Sequence, residues 1–162
     1  MNLYQKLRFQ NIAHRTACIF QGKNTSKNGY SKIDMQNKIE EQLDRIFSVY
    51  IRLKYADHAG FVSCFTCTIR RKWQEMDAGH FISRSNKSTR WDEENVFPQC
   101  IEDNRFYGSK HDVFEEVLRD ILGEDGFSEL LKRSRLPPPS DDQMRKLIIH
   151  YTLLVKKMGK VI

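Results

Sequence analysis

The sequence predicts an α+β fold, a small zinc-pinned β-rich centre flanked by α-helices. Three observations carry this. Apolar residues recur at helical spacing over about 34–55, 112–122 and 141–158. Between the first two stretches, residues 61–100 break into short extended runs bounded by glycine, proline and polar segments. Cys64 and Cys67, with a distant Cys100, stand in that middle region at a spacing suited to metal or redox chemistry.

The elements follow in order. Residues 1–33 form a basic arm, partly flexible through Gly22–Gly29, though Leu3, Leu7, Ile12, Ile19 and Phe20 could pack. A helix is expected from Asp34, as N-cap, to Tyr55, with Ile39, Leu43, Ile46, Phe47, Tyr50 and Leu53 as its core stripe. Gly60 breaks the pattern. Phe61–Cys64 reads as a strand entering a Cys-x-x-Cys knuckle, Thr68–Trp73 leads out, and Met76–Ser83 reads as a second strand. Residues 84–94 are a polar loop, and Asn95–Cys100 is extended because Pro98 restricts Phe97. A helix can begin at Ile101. Asp112–Leu122 is helical, with Val113, Phe114, Val117, Leu118, Ile121 and Leu122 inward and Gly123 as C-cap. A short helix, Phe127–Arg133, precedes the stiff Leu136–Ser140 connector with its three prolines. Asp141 is expected to cap a last helix over 141–158, burying Met144, Leu147, Ile148, Tyr151, Leu154 and Val155. The organisation is therefore an arm (1–33), a central domain with its N-terminal helix (34–135), and a Pro-rich connector with a C-terminal helix (136–162).

Charge is distributed unevenly. The net +6 resides in residues 1–33, where Lys6, Arg8, Arg15, Lys23, Lys27 and Lys32 have no acidic neighbours in sequence, while the rest is neutral. Such an arm suits counterion-releasing contact with nucleic-acid phosphates, or serves only as a solvated tail. No run of about 18 apolar residues exists, so no membrane span is expected. The N-terminus lacks the apolar segment of a secretion signal, which points to the cytoplasm.

A structural zinc needs four ligands in a tetrahedron. Cys64 and Cys67 supply one side and Cys100 a third ligand. Asp103 stands where a second Cys-x-x-Cys would be completed, and Cys18 or His111 are alternatives. Three buried cysteines without metal remain a competing reading. A redox role is less attractive, since no thioredoxin-like βαβ pattern surrounds the pair.

Around this knuckle lie His80, with Asp77 three residues before it, then Asn95, Asn104 and His111. Asn104 and His111, seven apart, would share a face of one helix. A neutral imidazole can take a proton from water near pH 7, and carboxylate and carboxamide oxygens such as Asp77 and Asn104 suit a hard divalent ion. Arg84, Arg90, Arg105 and Lys110 could hold phosphates. Arg70, Arg71 and Lys72, placed at the hairpin turn, could touch a DNA backbone or simply be exposed. Trp73, Phe81, Trp91, Phe97, Phe106 and Tyr107 are expected mostly in the core, with base stacking as the other option. His14, His58 and His150 carry no functional signal.

The run Cys-x-x-Cys, Asp-Ala-Gly-His-Phe-Ile-Ser-Arg, Thr-Arg-Trp-Asp-Glu-Glu-Asn and Gln-Cys-Ile-Glu-Asp-Asn-Arg resembles the phage NinG (Rap) recombination endonucleases, which are similar to the HNH, or ββα-metal, nucleases. The resemblance covers about residues 36–122 and is strongest over 61–112. It implies an HNH-like centre and a nuclease domain over 34–135. It further implies hydrolysis of branched DNA recombination intermediates of D-loop or Holliday-junction type, structural zinc, and catalytic Mg²⁺ or Mn²⁺. Carried over by position, His80 is the general base, Asn95 the loop-holding asparagine and Asn104 the third signature residue, with His111 a second candidate for that role. Two departures stand out. Gly79 occupies the place where many HNH enzymes carry a metal-binding aspartate, so Asp77 could serve only if the chain turned at Ala78-Gly79. Asp103 replaces a fourth cysteine.

Two other functions compete: a non-catalytic, zinc-stabilised DNA-binding accessory protein, and a factor whose terminal helices dock recombination or replication proteins. A homodimer would suit a symmetric junction cut.

Overall fold

The computed structural model describes residues 32–106 and 108–159, so the arm except its last two residues, with His14 and Cys18, and also Tyr107, lie outside the described residues. The architecture is α+β. Helix α1 runs Lys32–Lys54. It starts two residues before Asp34, which therefore sits in the first turn, where its negative charge favours the helix dipole, and is not the N-cap. Ile39, Leu43, Phe47, Tyr50, Ile51 and Leu53 are buried. Helix α2 spans His111–Ser134 and joins the two helices expected there across a kink at Gly123 (φ 66°, ψ 169°). Gly123 ends the first half in the left-handed region glycine tolerates. Its inward residues are Phe114, Leu118, Phe127 and Leu130; Val113 and Ile121, expected inside, are exposed because they flank that stripe.

Helix α3, Asp141–Met158, is capped by Ser140 and not Asp141. Ser140 has the extended backbone an N-cap requires; its Oγ accepts from the Gln143 amide at 3.4 Å, and its own amide donates to Gln143 Oε1 at 2.8 Å. Through Met144, Leu147 and Tyr151, α3 packs on α1, and Trp91 and Val96 complete this core. Glu93 ties the region together, accepting from Tyr50 (2.8 Å), Lys54 (3.1 Å) and Tyr151 (3.2 Å).

Among the described residues, four short strands form two antiparallel pairs: β1 (Phe61–Ser63) with β2 (Arg70–Lys72), and β3 (Met76–His80) with β4 (Val96–Cys100). Arg70, Arg71 and Lys72 thus form a strand, and the turn is the Cys64–Ile69 knuckle itself, closed by the Cys64 amide on the Ile69 carbonyl at 2.8 Å. The Phe65 amide donates to the Pro98 carbonyl at 2.8 Å, joining the knuckle to β4. In the second pair Met76 faces Cys100 at one end and His80 faces Val96 at the other.

The expected helix from Ile101 is a π-helical turn, Glu102–Phe106, followed by Gly108, Ser109 and Lys110 with φ of 59°, 61° and 42°. These three left-handed residues end one turn and start α2, so Asn104 and His111 do not share a continuous helix face. Among the aromatics, Phe81, Trp91 and Phe97 are buried and Trp73 half-buried, whereas Phe106 is 74% exposed. No helix among the described residues is long and apolar enough to cross a membrane.

Candidate metal centre and histidine groove

Cys64, Cys67, Cys100 and Asp103 come together, with one ligand atom from each lying within 4.8 Å of the others. The knuckle holds the first two, the end of β4 the third, and the π-helical turn brings Asp103 back. The Cys67 and Cys100 sulfurs are 3.8 Å apart, as are Cys64 Sγ and Asp103 Oδ2. A tetrahedron with Zn–S bonds of about 2.3 Å has S–S edges of about 3.8 Å. The Cys100 amide donates to Cys64 Sγ (3.3 Å) and the Asp103 amide to Cys100 Sγ (3.4 Å), contacts that favour thiolates. Burial, then the neighbouring Cys64 and Asp103, pushes the Cys67 thiol up to about 12. Four anions this close cannot all ionise alone, and a divalent cation removes that conflict. The group can hold a metal ion such as zinc. Cys18 lies outside the described residues, and His111 is elsewhere, stacked on Phe81 with ring centroids 4.5 Å apart.

Asp103 is also anchored from two sides. Thr66 Oγ1 donates to its Oδ2 at 2.8 Å and Lys110 Nζ lies 2.9 Å from its Oδ1. Burial would raise its pKa, but Lys110 and Thr66 outweigh this and hold the carboxyl below its usual range.

At the other end of β3, His80 lies between two lobes of one groove. A lobe of about 260 Å³ is lined by Asp44, Arg45, Phe47, Ser48 and Arg90. A second, of about 480 Å³, is lined by Ser83, Asn104, Gly108, Ser109 and His111. Ala78, His80 and Arg84 line both. His80 Nε2 is 2.9 Å from the Arg90 carbonyl, which can only accept. With the proton of neutral His80 on Nε2, where the Arg90 carbonyl accepts it, Nδ1 keeps the lone pair; the Ala78 carbonyl is a second acceptor beside the ring. Burial lowers the His80 pKa, with the Arg90 carbonyl opposing in part, so the ring is neutral near pH 7.

Asn95 does not line the groove. It is fully buried and clamps the loop that His80 leans on. Its Oδ1 accepts from the Ile82 amide (2.7 Å), and its Nδ2 donates to the Ile82 and Thr89 carbonyls (3.0 Å each). Arg90, next in the chain, presents the carbonyl that holds the imidazole.

Asp77 does not reach the groove either. Strand β3 runs regularly through Ala78-Gly79, so residues 77 and 80 face opposite sides. Its carboxylate takes both donors of Arg105, at 2.7 and 2.8 Å, and Asn104 Nδ2 at 3.0 Å. Asp77 thus holds Asn104 from behind, and Asn104 Oδ1 takes no hydrogen bond among the described residues.

The predicted phosphate-binding cations are mostly paired. Arg70 bonds Asp57, Arg71 bonds Glu102, Arg105 bonds Asp77, and Lys110 bonds Asp103. Arg84 and Arg90 share Asp44, which also accepts from Trp91 Nε1 at 2.8 Å. Lys72 donates to the Ala59 carbonyl at 2.6 Å and lies over the Phe61 ring. Arg45, which sequence reasoning did not single out, lines the first lobe with no carboxylate partner among the described residues. It sits in an ordinary amphipathic helix, where nothing in the sequence marks it.

A family model described as Bacteriophage Lambda NinG protein matches residues 5–160. No curated protein and no solved structure matches the chain.

Proposed function

The chain belongs to the bacteriophage lambda NinG protein family, and on that premise we propose that it is a metal-dependent endonuclease of HNH, ββα-metal type. It hydrolyses phosphodiester bonds in branched DNA recombination intermediates, with His80 as general base. The observation that carries this reading is the bond from His80 Nε2 to the Arg90 carbonyl. It leaves Nδ1 as the basic nitrogen of a neutral, half-buried ring on the floor of a groove, the state a general base needs.

The roles of the side chains follow from their positions. His80 takes the proton of the attacking water. Asn95 aims His80 through the Thr89–Arg90 backbone and is a positioning residue. Arg84 is the second guanidinium on a single carboxylate, since Arg90 and Trp91 already serve Asp44, and it is 59% exposed. It can turn to a phosphate without stranding Asp44, and Arg45 offers beside it a guanidinium with no carboxylate partner among the described residues. Asn104 Oδ1 and His111 are the groove donors that would hold Mg²⁺ or Mn²⁺, and such an ion supplies charge stabilisation at the leaving oxygen when bound. Neither donor is a carboxylate, so the substrate phosphate has to complete the ion's charge balance.

One observation favours the second reading, a zinc-stabilised DNA-binding protein that does not cut: the groove holds no free carboxylate among the described residues. A cleavage assay on duplex, flap, D-loop and four-way substrates, with Mg²⁺ or Mn²⁺, separates the two. Cleavage should fall by about 10²-fold or more in His80→Ala with the fold intact. DNA binding without cleavage under either ion would leave only the second reading.

A further inference from the structure

Gly79 occupies the position before the histidine, and the structure gives a reason for its lack of a side chain. A Cβ built there would lie 2.0 Å from Gln99 Oε1, 2.7 Å from its Cδ and 2.9 Å from its Cγ. The Gln99 side chain fills the space that a side chain on residue 79 would need. Gln99 stands on β4 opposite Asp77 and is wholly buried.

Its carboxamide reaches in two directions. Nε2 donates to Thr66 Oγ1 at 3.0 Å and to the Ser109 carbonyl at 2.9 Å. The carbonyl can only accept, which fixes the orientation of the amide. The Thr66 hydroxyl in turn donates a hydrogen bond to Asp103, within the metal-ligand group. Ser109 lies in the wall of the groove and in the left-handed Gly108–Lys110 turn. Two of those three residues are not glycine, and such a backbone persists only where its surroundings hold it. Gln99 Oε1, in contrast, has no hydrogen-bond partner among the described residues. Leaving a buried acceptor unsatisfied is unfavourable, so the two Nε2 bonds hold the amide in this orientation at the expense of its oxygen.

We propose that Gln99 is a positioning residue that carries the geometry of the Cys64–Cys67–Cys100–Asp103 centre to the wall of the His80 groove, and that Gly79 and Gln99 are a size-matched pair. The groove wall is then set by the metal centre. A side chain at position 79, acidic or not, collides with Gln99 where Gln99 now stands. The inference rests on the proposed nuclease reading only in calling the groove an active site, and its tests do not use cleavage.

The first test is a double-mutant cycle on the zinc-loaded full chain, read by thermal unfolding. Gly79→Ala should lower the melting temperature by several degrees in the wild-type background and change it little in Gln99→Ala. An equal loss in both backgrounds overturns the size-matched pair. The second test compares Gln99→Met with wild type by amide hydrogen exchange over residues 108–111, with Co²⁺ absorption reporting the thiolate centre. Exchange should speed up by about tenfold or more while the Co²⁺ spectrum is unchanged. Unchanged exchange, or a lost Co²⁺ spectrum, overturns the positioning role. If His80→Ala leaves cleavage unaltered, the nuclease reading fails and these two results still stand or fall by themselves.

Discussion

The two ends of the β3–β4 pair carry sites built in opposite ways. At the Met76–Cys100 end, four ligands from a tight knuckle, the end of β4 and one turn converge within 4.8 Å. At the His80–Val96 end, α1, β3, the 81–95 loop, the π-helical turn and the start of α2 each contribute a wall. The first site is a point, so any chain that reaches it must do so with short spacings. The second is a surface, whose members are joined only through the tertiary path. The metal end is therefore one that a single ion can close, whereas the histidine end is held by buried hydrogen bonds that keep backbone carbonyls in place.

The largest test of this contrast is removal of the ion. Chelation, or Cys64→Ser with Cys67→Ser, should abolish the cooperative melt of the strand region, since binding of structural zinc is worth about 10–16 kcal/mol in small domains. Metal analysis alongside thermal melts checks it; an unchanged melt in metal-free protein would place both ends in the same class. Next, Asn95→Ala should cost about 2–4 kcal/mol, because it leaves the Ile82 amide and two carbonyls unpaired in the interior. Urea unfolding measures this, and cleavage should fall with it as the Arg90 carbonyl loses its place.

The pH response of His80 is a smaller effect with a definite sign. Burial lowers its pKa below the ordinary 6.5. The base form is present above that lowered value, so the acid limb of the cleavage profile should lie below pH 6.5. The unfolded ring binds its proton at higher pH than the folded one, so the stability from neutral His80 is complete above 6.5 and lost as pH falls through the folded pKa. A pH series on wild type and His80→Asn checks both limbs. Smallest of all, Arg84→Ala should weaken DNA binding a few-fold and lower the salt slope by about one. Titrations at several salt concentrations read this directly, and an unchanged slope would show that Arg84 stays on Asp44.

The legibility of the sequence follows the same division. The helices were visible because their stripes repeat locally, and Cys64, Cys67, Cys100 and Asp103 because an ion demands close spacing. His80 and Asn95 stood out through their motif, but the burial of Asn95 behind the groove did not. The alternation of a regular strand already turns Asp77 away from His80 unless the chain turns at Ala78-Gly79, and β3 makes no such turn. Arg70, Arg71, Arg84, Arg90, Arg105 and Lys110 looked free because their carboxylate partners, Asp57, Glu102, Asp44, Asp77 and Asp103, come from distant or differently folded segments. Gln99 stood out only as a member of the Gln-Cys motif and Arg45 not at all, since their importance rests on what the fold places beside them.

The pairing of α3 with α1 has a consequence for the order of events during synthesis. Phe47, in the groove lobe beside His80, packs against Tyr151 with ring centroids 5.0 Å apart. Glu93, in the loop that leads to β4, is held by Tyr50 and Tyr151 together. A ribosome therefore releases the thiolate knuckle and the histidine long before the helix that backs their groove. The growing chain can gather its metal early, yet the wall beside His80 stays unsupported until residues 141–158 have emerged.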